Sequence, residues 1–128
     1  MKKAKKHPLS KSFSFAFRGI YKAIQKERNI KIHLVAAVLT IILGIILKIS
    51  TLEWLVLILT IGVVISAEVM NSSIEAVCNL LKAKLDLSYY ETYWARNFSA
   101  GAVMVLAITS VVIGLIIFLP KILICLFP

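Results

Sequence analysis

The sequence predicts an all-α integral membrane protein, with three transmembrane helices preceded by an N-terminal amphipathic surface helix. Three observations predict it. Hydrophobic residues make up 60% of the 128 and mean hydropathy is +0.93, far above a soluble globular chain. Three apolar runs stand out, each able to cross a hydrocarbon core of about 30 Å, the first two only with help from flanking residues. The basic residues are distributed unevenly around those runs, as the positive-inside rule requires. A single membrane domain over 1–128 accounts for the length.

The chain opens on M-K-K-A-K-K, within a basic tail over 1–11. A basic start before apolar sequence is one mark of a signal peptide. Here the first long apolar run begins only near His33 and no small-residue cleavage site ends it, so the segment reads as retained. The surface helix follows over 12–30. Phe13, Phe17, Ile20, Tyr21 and Ile24 recur at helical spacing, while Arg18, Lys22, Gln25 and Lys26 share the opposite face. Aromatics under a cationic face describe a helix lying in the membrane interface. It reads either as a lid or lipid-entry helix or as a topology anchor on anionic lipid.

The spans are expected at 33–50, at 52–81 with a cytoplasmic extension, and at 98–119, where Pro120-Lys121 closes the third. K-I-S-T-L-E is a short turn that makes the first two spans antiparallel neighbours, whereas 82–97 reads as a longer polar loop. Ten of the fifteen Lys and Arg lie in the first 31 residues; Lys82, Lys84 and Arg96 bring one side to thirteen, against Lys48 and Lys121 on the other. The N-terminus and the second loop are therefore expected in the cytoplasm. Trp54, Tyr93 and Trp94 mark the interfaces. Cys78 and Cys125 lack metal-site or redox spacing and read as small apolar fillers. His7 and His33 receive no role, a lone histidine at a membrane boundary being more often interfacial than a ligand.

The second span ends on S-A-E-V-M-N-S-S-I-E-A-V-C-N-L-L. At about 100° per residue, Glu68, Asn71, Ser72, Glu75 and Asn79 return to one helix face. Val69, Met70, Ile74, Ala76 and Val77 fall between them. An intramembrane Asp costs about 2.5–3.5 kcal/mol at a helix centre, and a Glu a similar order, less towards the interface. Two such acids need compensation. One reading is a polar zone where the helix emerges into water, which suits Glu75 and Asn79 better than Glu68, bordered by V-V-I-S-A. The other is a site. Glu27, in K-E-R-N before the first span, is either a solvated charge or a partner of Glu75 around a divalent cation. Two carboxylates with phosphate oxygens and water suit Mg²⁺. None of the five glycines belongs to a Walker or protein-kinase Gly-rich loop, so any ATP site is of another kind. No nucleic-acid partner is expected.

E-V-M-N-S-S-I-E-A-V closely resembles the signature of the small prokaryotic diacylglycerol kinase family, including its undecaprenol kinase branch. That signature runs Glu, two apolar residues, Asn, Ser or Thr, a small residue, an apolar residue, Glu, and usually an Asp four residues on. E-R-N-I-K-I-H-L-V-A-A and G-L-I-I-F-L-P-K resemble its Gram-positive branch, so the likeness covers most of the chain. It implies a homotrimer in the bacterial plasma membrane, with an active site at the cytoplasmic interface built from more than one subunit. The implied reaction is transfer of the ATP γ-phosphate to a membrane lipid alcohol, undecaprenol favoured over diacylglycerol. By the same resemblance Glu68 is the general base, Glu27 and Glu75 hold the metal with ATP, and Asn71 supports the site, with Ser72 and Asn79 beside it. Arg96-Asn97 stands where the family has a nucleotide-contacting Lys-Asp pair, and Asn79 where it has the Asp. The second loop is about three residues longer than the family's and lacks its E-Y-H. Arg still pairs with phosphate bidentately, but Asn79 and Asn97 bring no negative charge, which leaves open a catalytically impaired relative that binds lipid or nucleotide. A small transporter titrating Glu68 is the third alternative, although transport sites favour the midplane.

Overall fold

The computed structural model describes residues 8–127. Within them the chain is all-α: α1 (Leu9–Lys26), α2 (Arg28–Ile46), α3 (Thr51–Leu85) and α4 (Tyr89–Leu126). The last three are long and apolar enough to cross a membrane. Of the expected basic tail, residues 1–7 lie outside the described residues, and 9–11 already belong to α1.

α1 rests against α2 and α3 but buries none of its side chains. Phe13, Phe17 and Tyr21 are exposed, as befits a helix whose apolar face meets lipid headgroups rather than protein. It stops at Lys26, short of the expected residue 30, because Glu27 takes extended backbone (φ −95°, ψ 123°). That one residue caps both α1 and α2. Its amide still donates to the Ala23 carbonyl at 2.8 Å, so the corner leaves no orphaned N–H there. Nothing local announces the break, since Lys, Glu and Arg all favour helix.

A tight turn through Lys48 (φ 48°) leads into a capping box that starts α3. Ser50 Oγ accepts from the Glu53 amide at 3.3 Å, and Glu53 Oε2 accepts from the Ser50 amide at 2.6 Å. At this end Ile49, Leu57, Ile117 and Phe118 form the apolar core, with Trp54 packed against it. Lys121 Nζ lies 3.2 Å from Glu53 Oε2 and joins α4 to the start of α3. α2 approaches closely because residue 44 is glycine: a Cβ there would sit 3.0 Å from both Ile49 Cδ1 and Trp54 Cη2.

α2 runs from Arg28 to Ile46 against an expected span at 33–50, and two further helix boundaries differ from the sequence expectation. The polar loop expected over 82–97 shrinks to 86–88, since α3 runs to Leu85 and α4 starts at Tyr89. Asp86 closes α3 in the left-handed region (φ 52°), which Asp tolerates through local hydrogen bonding. Glu91 Oε2 then accepts from the Ser88 amide at 2.6 Å. S-Y-Y-E has capping-box spacing, a helix start disguised by polar composition. The second difference is at Pro120, where the helix does not end: α4 continues through it to Leu126. Proline removes one N–H from the ladder without forbidding the next turn when neighbouring helices support it, and Lys121 fastens that turn to Glu53.

α3 and α4 have 35 and 38 residues, roughly 52 and 57 Å at helical rise. Both exceed a hydrocarbon core of about 30 Å, so each extends beyond it. Gly44→Val, which drives a branched side chain into the Trp54 ring, is expected to cost about 1–3 kcal/mol. Thermal unfolding in detergent should show a lowered midpoint; an unchanged one contradicts the close approach.

Candidate active site

Helical periodicity and one apolar boundary position the site. Glu68 lies midway along α3, seventeen residues after Thr51 and seventeen before Leu85, about 25 Å from either end. The segment from Thr51 to Ala67 carries one charge, Glu53 in its first turn, and Glu68 is the first charged residue after that apolar run. On α2 the matching level is His33, five residues past Arg28, or about 7 Å of rise. The Glu68 side chain is 3% exposed, and His33 Nε2 lies 3.2 Å from its Oε1. Among the described residues, His33 is the one side chain that meets this carboxylate. Ser72 Oγ donates instead to the Glu68 backbone carbonyl at 3.0 Å.

A second network joins α3 to α4. Asn71 is buried and its Nδ2 donates to Glu75 Oε1 at 3.1 Å. Ser99 Oγ donates to Asn71 Oδ1 at 2.6 Å. The orientation of the amide follows from chemistry: a carboxylate only accepts, so the NH₂ must face Glu75 and the oxygen is left for Ser99. Ser99 has one proton, and the Arg96 carbonyl at 2.9 Å is its alternative acceptor. One turn further on, Arg96 Nη2 donates to Asn79 Oδ1 at 3.0 Å and Arg96 Nε to Thr92 Oγ1 at 3.3 Å. The guanidinium also sits 5.6 Å from the Tyr89 ring centroid. These partners are all neutral, so they orient the arginine without cancelling its charge. Asn97, the next residue, is exposed.

Glu27 sits elsewhere. It pairs loosely with Lys26, Nζ to Oε1 3.7 Å, and lines a cleft of about 570 Å³ between α1 and α3. Lys22 and Lys26 of α1 and Ser72 and Ser73 of α3 share that cleft, while Glu75 is not among its walls. Ser72 and Ala76 lie roughly 60° and 100° around α3 from Glu75, which sets the cleft to one side of the acidic stripe. Among the described residues, no group of three or more His, Cys, Asp or Glu is gathered as a metal site.

The protomer thus brings together Glu68, Asn71, Ser72, Glu75, Asn79 and Arg96 along one side of α3, with Glu27 on the neighbouring cleft. Sequence reasoning missed His33, Ser99 and Thr92. A signal for His33 existed: His33, Ala37, Thr40 and Gly44 recur at i, i+4, i+7 and i+11, the small and polar face of an otherwise aliphatic span. The inter-helix network makes a prediction for stability. Asn71→Asp sets a carboxylate against Glu75 in place of a donor, and the loss of a buried hydrogen bond alone is worth about 1–3 kcal/mol. The melting midpoint in detergent should fall clearly below wild type; an unshifted midpoint contradicts the network.

Comparison with known proteins reaches the same region of the chain. The family model for prokaryotic diacylglycerol kinase matches residues 14–118. The undecaprenol kinase of Bacillus subtilis (strain 168) is 40% identical over 111 residues, covering 87% of this chain and 88% of that protein. The diacylglycerol kinase of a Synechocystis species is 33% identical over 113 residues, covering 88% of this chain and 63% of that protein. No solved structure matches significantly. With the family model running from within α1, through α2 and α3 with its acidic stripe, into α4, this chain belongs to the prokaryotic diacylglycerol kinase family.

Proposed function

We propose that the chain works as a lipid kinase with its active site at the cytoplasmic edge of the bilayer, Glu68 taking the proton of a membrane lipid alcohol as that alcohol attacks the γ-phosphate of ATP. The kinase class and the use of ATP follow from the family, and the three apolar helices make it a bacterial membrane protein. The residue assignment is carried by one observation: a buried carboxylate at the level where the apolar part of α3 ends. A lipid can keep its chains in the bilayer and still bring a headgroup oxygen to Glu68. The weight of Lys and Arg at this end of the helices supports a cytoplasmic orientation, the side from which ATP arrives.

Phosphoryl transfer asks little covalent work of a protein; positioning and charge stabilisation dominate. In this reading Glu68 accepts the hydroxyl proton while the lipid oxygen bonds to the γ-phosphorus. The bond to the β–γ bridging oxygen breaks, and ADP leaves carrying that electron pair. Arg96, oriented by neutral partners, meets phosphate with its charge intact. Lys22 and Lys26 in the α1–α3 cleft add to the cationic field. Glu27 and Glu75 are hard oxygen donors, and Glu75 Oε1 is engaged by Asn71 while its other oxygen is left for a ligand. That donor set fits Mg²⁺, which takes few protein ligands beside phosphate and water. When bound, the ion neutralises charge on the phosphates. Because Glu27 lines the cleft and Glu75 does not, the reading has the two acids meet between copies of the chain, in keeping with the homotrimer that the resemblance implies. The 40% identity to a protein named undecaprenol kinase favours undecaprenol as the lipid.

A second reading, an impaired relative, is favoured by Asn79 and Asn97 standing where the family carries acids. Against it, Asn79 still holds Arg96. Purified protein with Mg-ATP and either undecaprenol or diacylglycerol should form the lipid phosphate, and Glu68→Gln should slow turnover by about 10²–10⁴-fold, the worth of a general base. Full activity in Glu68→Gln overturns the assignment. Turnover that appears only in Asn97→Asp favours the impaired reading.

A further inference from the structure

We infer that His33 is the positioning residue of the catalytic base: its imidazole holds one oxygen of Glu68 so that the other faces the lipid hydroxyl. The inference rests on the kinase reading above and adds to it a residue for which the acidic motif gives no hint.

The argument begins with cost. A carboxylate removed from water without a partner is strongly unfavourable, and Glu68 is among the most buried side chains of the protein. Its own helix does not compensate it. Ser72 donates to the Glu68 main chain, and Asn71 commits its NH₂ to Glu75. Among the described residues the carboxylate is met by His33 Nε2 at 3.2 Å, from the facing helix. With its proton on Nε2, the imidazole at that distance holds Oε1 and leaves Oε2 as the oxygen for the lipid hydroxyl. A general base must come within about 2.6–3.2 Å of the proton it takes, and an error of about 1 Å in such geometry can cost about 10²-fold in rate. A Glu side chain has three rotatable bonds, so an anchored oxygen matters more here than on a shorter acid.

The same helix carries a second part of the site. Glu27 caps α2 and His33 follows six residues later, about 9 Å of rise along one rigid element. α2 therefore connects the acid beside the cleft to the group that orients the base. Its small face, with Ala37 buried and Gly44 against Trp54, lets it lie close enough to α3 for the imidazole to reach.

The test compares substitutions that keep or lose the reaching donor. Gln at position 33 retains an N–H at imidazole-like reach, whereas Asn is too short and Leu has none. His33→Leu and His33→Asn should lower kcat by about 10–10²-fold with KM for lipid and ATP changed less than about threefold, since transition-state geometry and not uniform binding is lost. His33→Gln should recover most of the rate. A purely structural pair predicts lowered stability without this split. Wild-type kcat in His33→Asn, or equal impairment in Gln and Asn, overturns the inference; the Gln and Asn pair decides the matter even if the Leu variant fails to fold. Modification of Glu68 by a hydrophobic carbodiimide, read by mass spectrometry, needs no turnover. It should be several-fold faster in His33→Asn than in wild type, and an unchanged rate overturns the pairing. A wild-type protein that phosphorylates neither lipid would sink the kinase reading alone, leaving the carbodiimide result to judge the pair.

Discussion

A carboxylate withdrawn from water inside a helical membrane protein is costly without a partner, and Glu68 finds one across the helix interface in His33. Breaking such a pair leaves an uncompensated buried charge, so the relative level of α2 and α3 is constrained at this point. With that level set, α3 presents Asn71, Glu75 and Asn79 in succession towards its C-terminal end, where α4 answers with Ser99 and Arg96. The polar stripe is thus a series of inter-helix contacts that grow more exposed along its length. Glu68 is almost wholly buried, Glu75 partly so, and Asn79 exposed.

The two ends of the helical bundle divide the work. At the far end, Gly44, Trp54, Ile49 and Leu57 give tight apolar packing, and the Glu53–Lys121 pair fastens α3 to α4. At the Glu68 end, polar pairs replace apolar packing and a cleft opens beneath α1. In the proposed reading, the site at this end uses such room for a lipid headgroup and a nucleotide. α1 makes few demands on protein neighbours, and its exposed aromatics leave the interface to hold it.

Much of this was legible in the sequence, for identifiable reasons. The apolar runs announce three spans because hydrocarbon thickness imposes length, and the Glu68-to-Asn79 stripe is visible because 3.6-residue periodicity maps directly onto a face. Illegible were features set between helices. His33 draws its meaning from α3 lying opposite it, and Ser99 from Asn71; neither pairing leaves a local mark. The corner at Glu27 falls among good helix formers, so nothing local marks it. The early start of α4 could have been read from Ser88 and Glu91, but aromatic and polar residues in the same stretch suggest a loop. Pro120 looked like a terminus because in isolation it would be one; against a neighbouring helix it is tolerated.

The most direct test of the account is an experimental structure with a lipid alcohol and a non-hydrolysable ATP analogue bound. The account predicts the lipid hydroxyl within about 2.6–3.2 Å of one Glu68 oxygen, the His33 imidazole on the other, and the γ-phosphate on the Arg96 side. A lipid hydroxyl bound away from Glu68, or a Glu68 side chain turned towards lipid tails with His33 elsewhere, would contradict it.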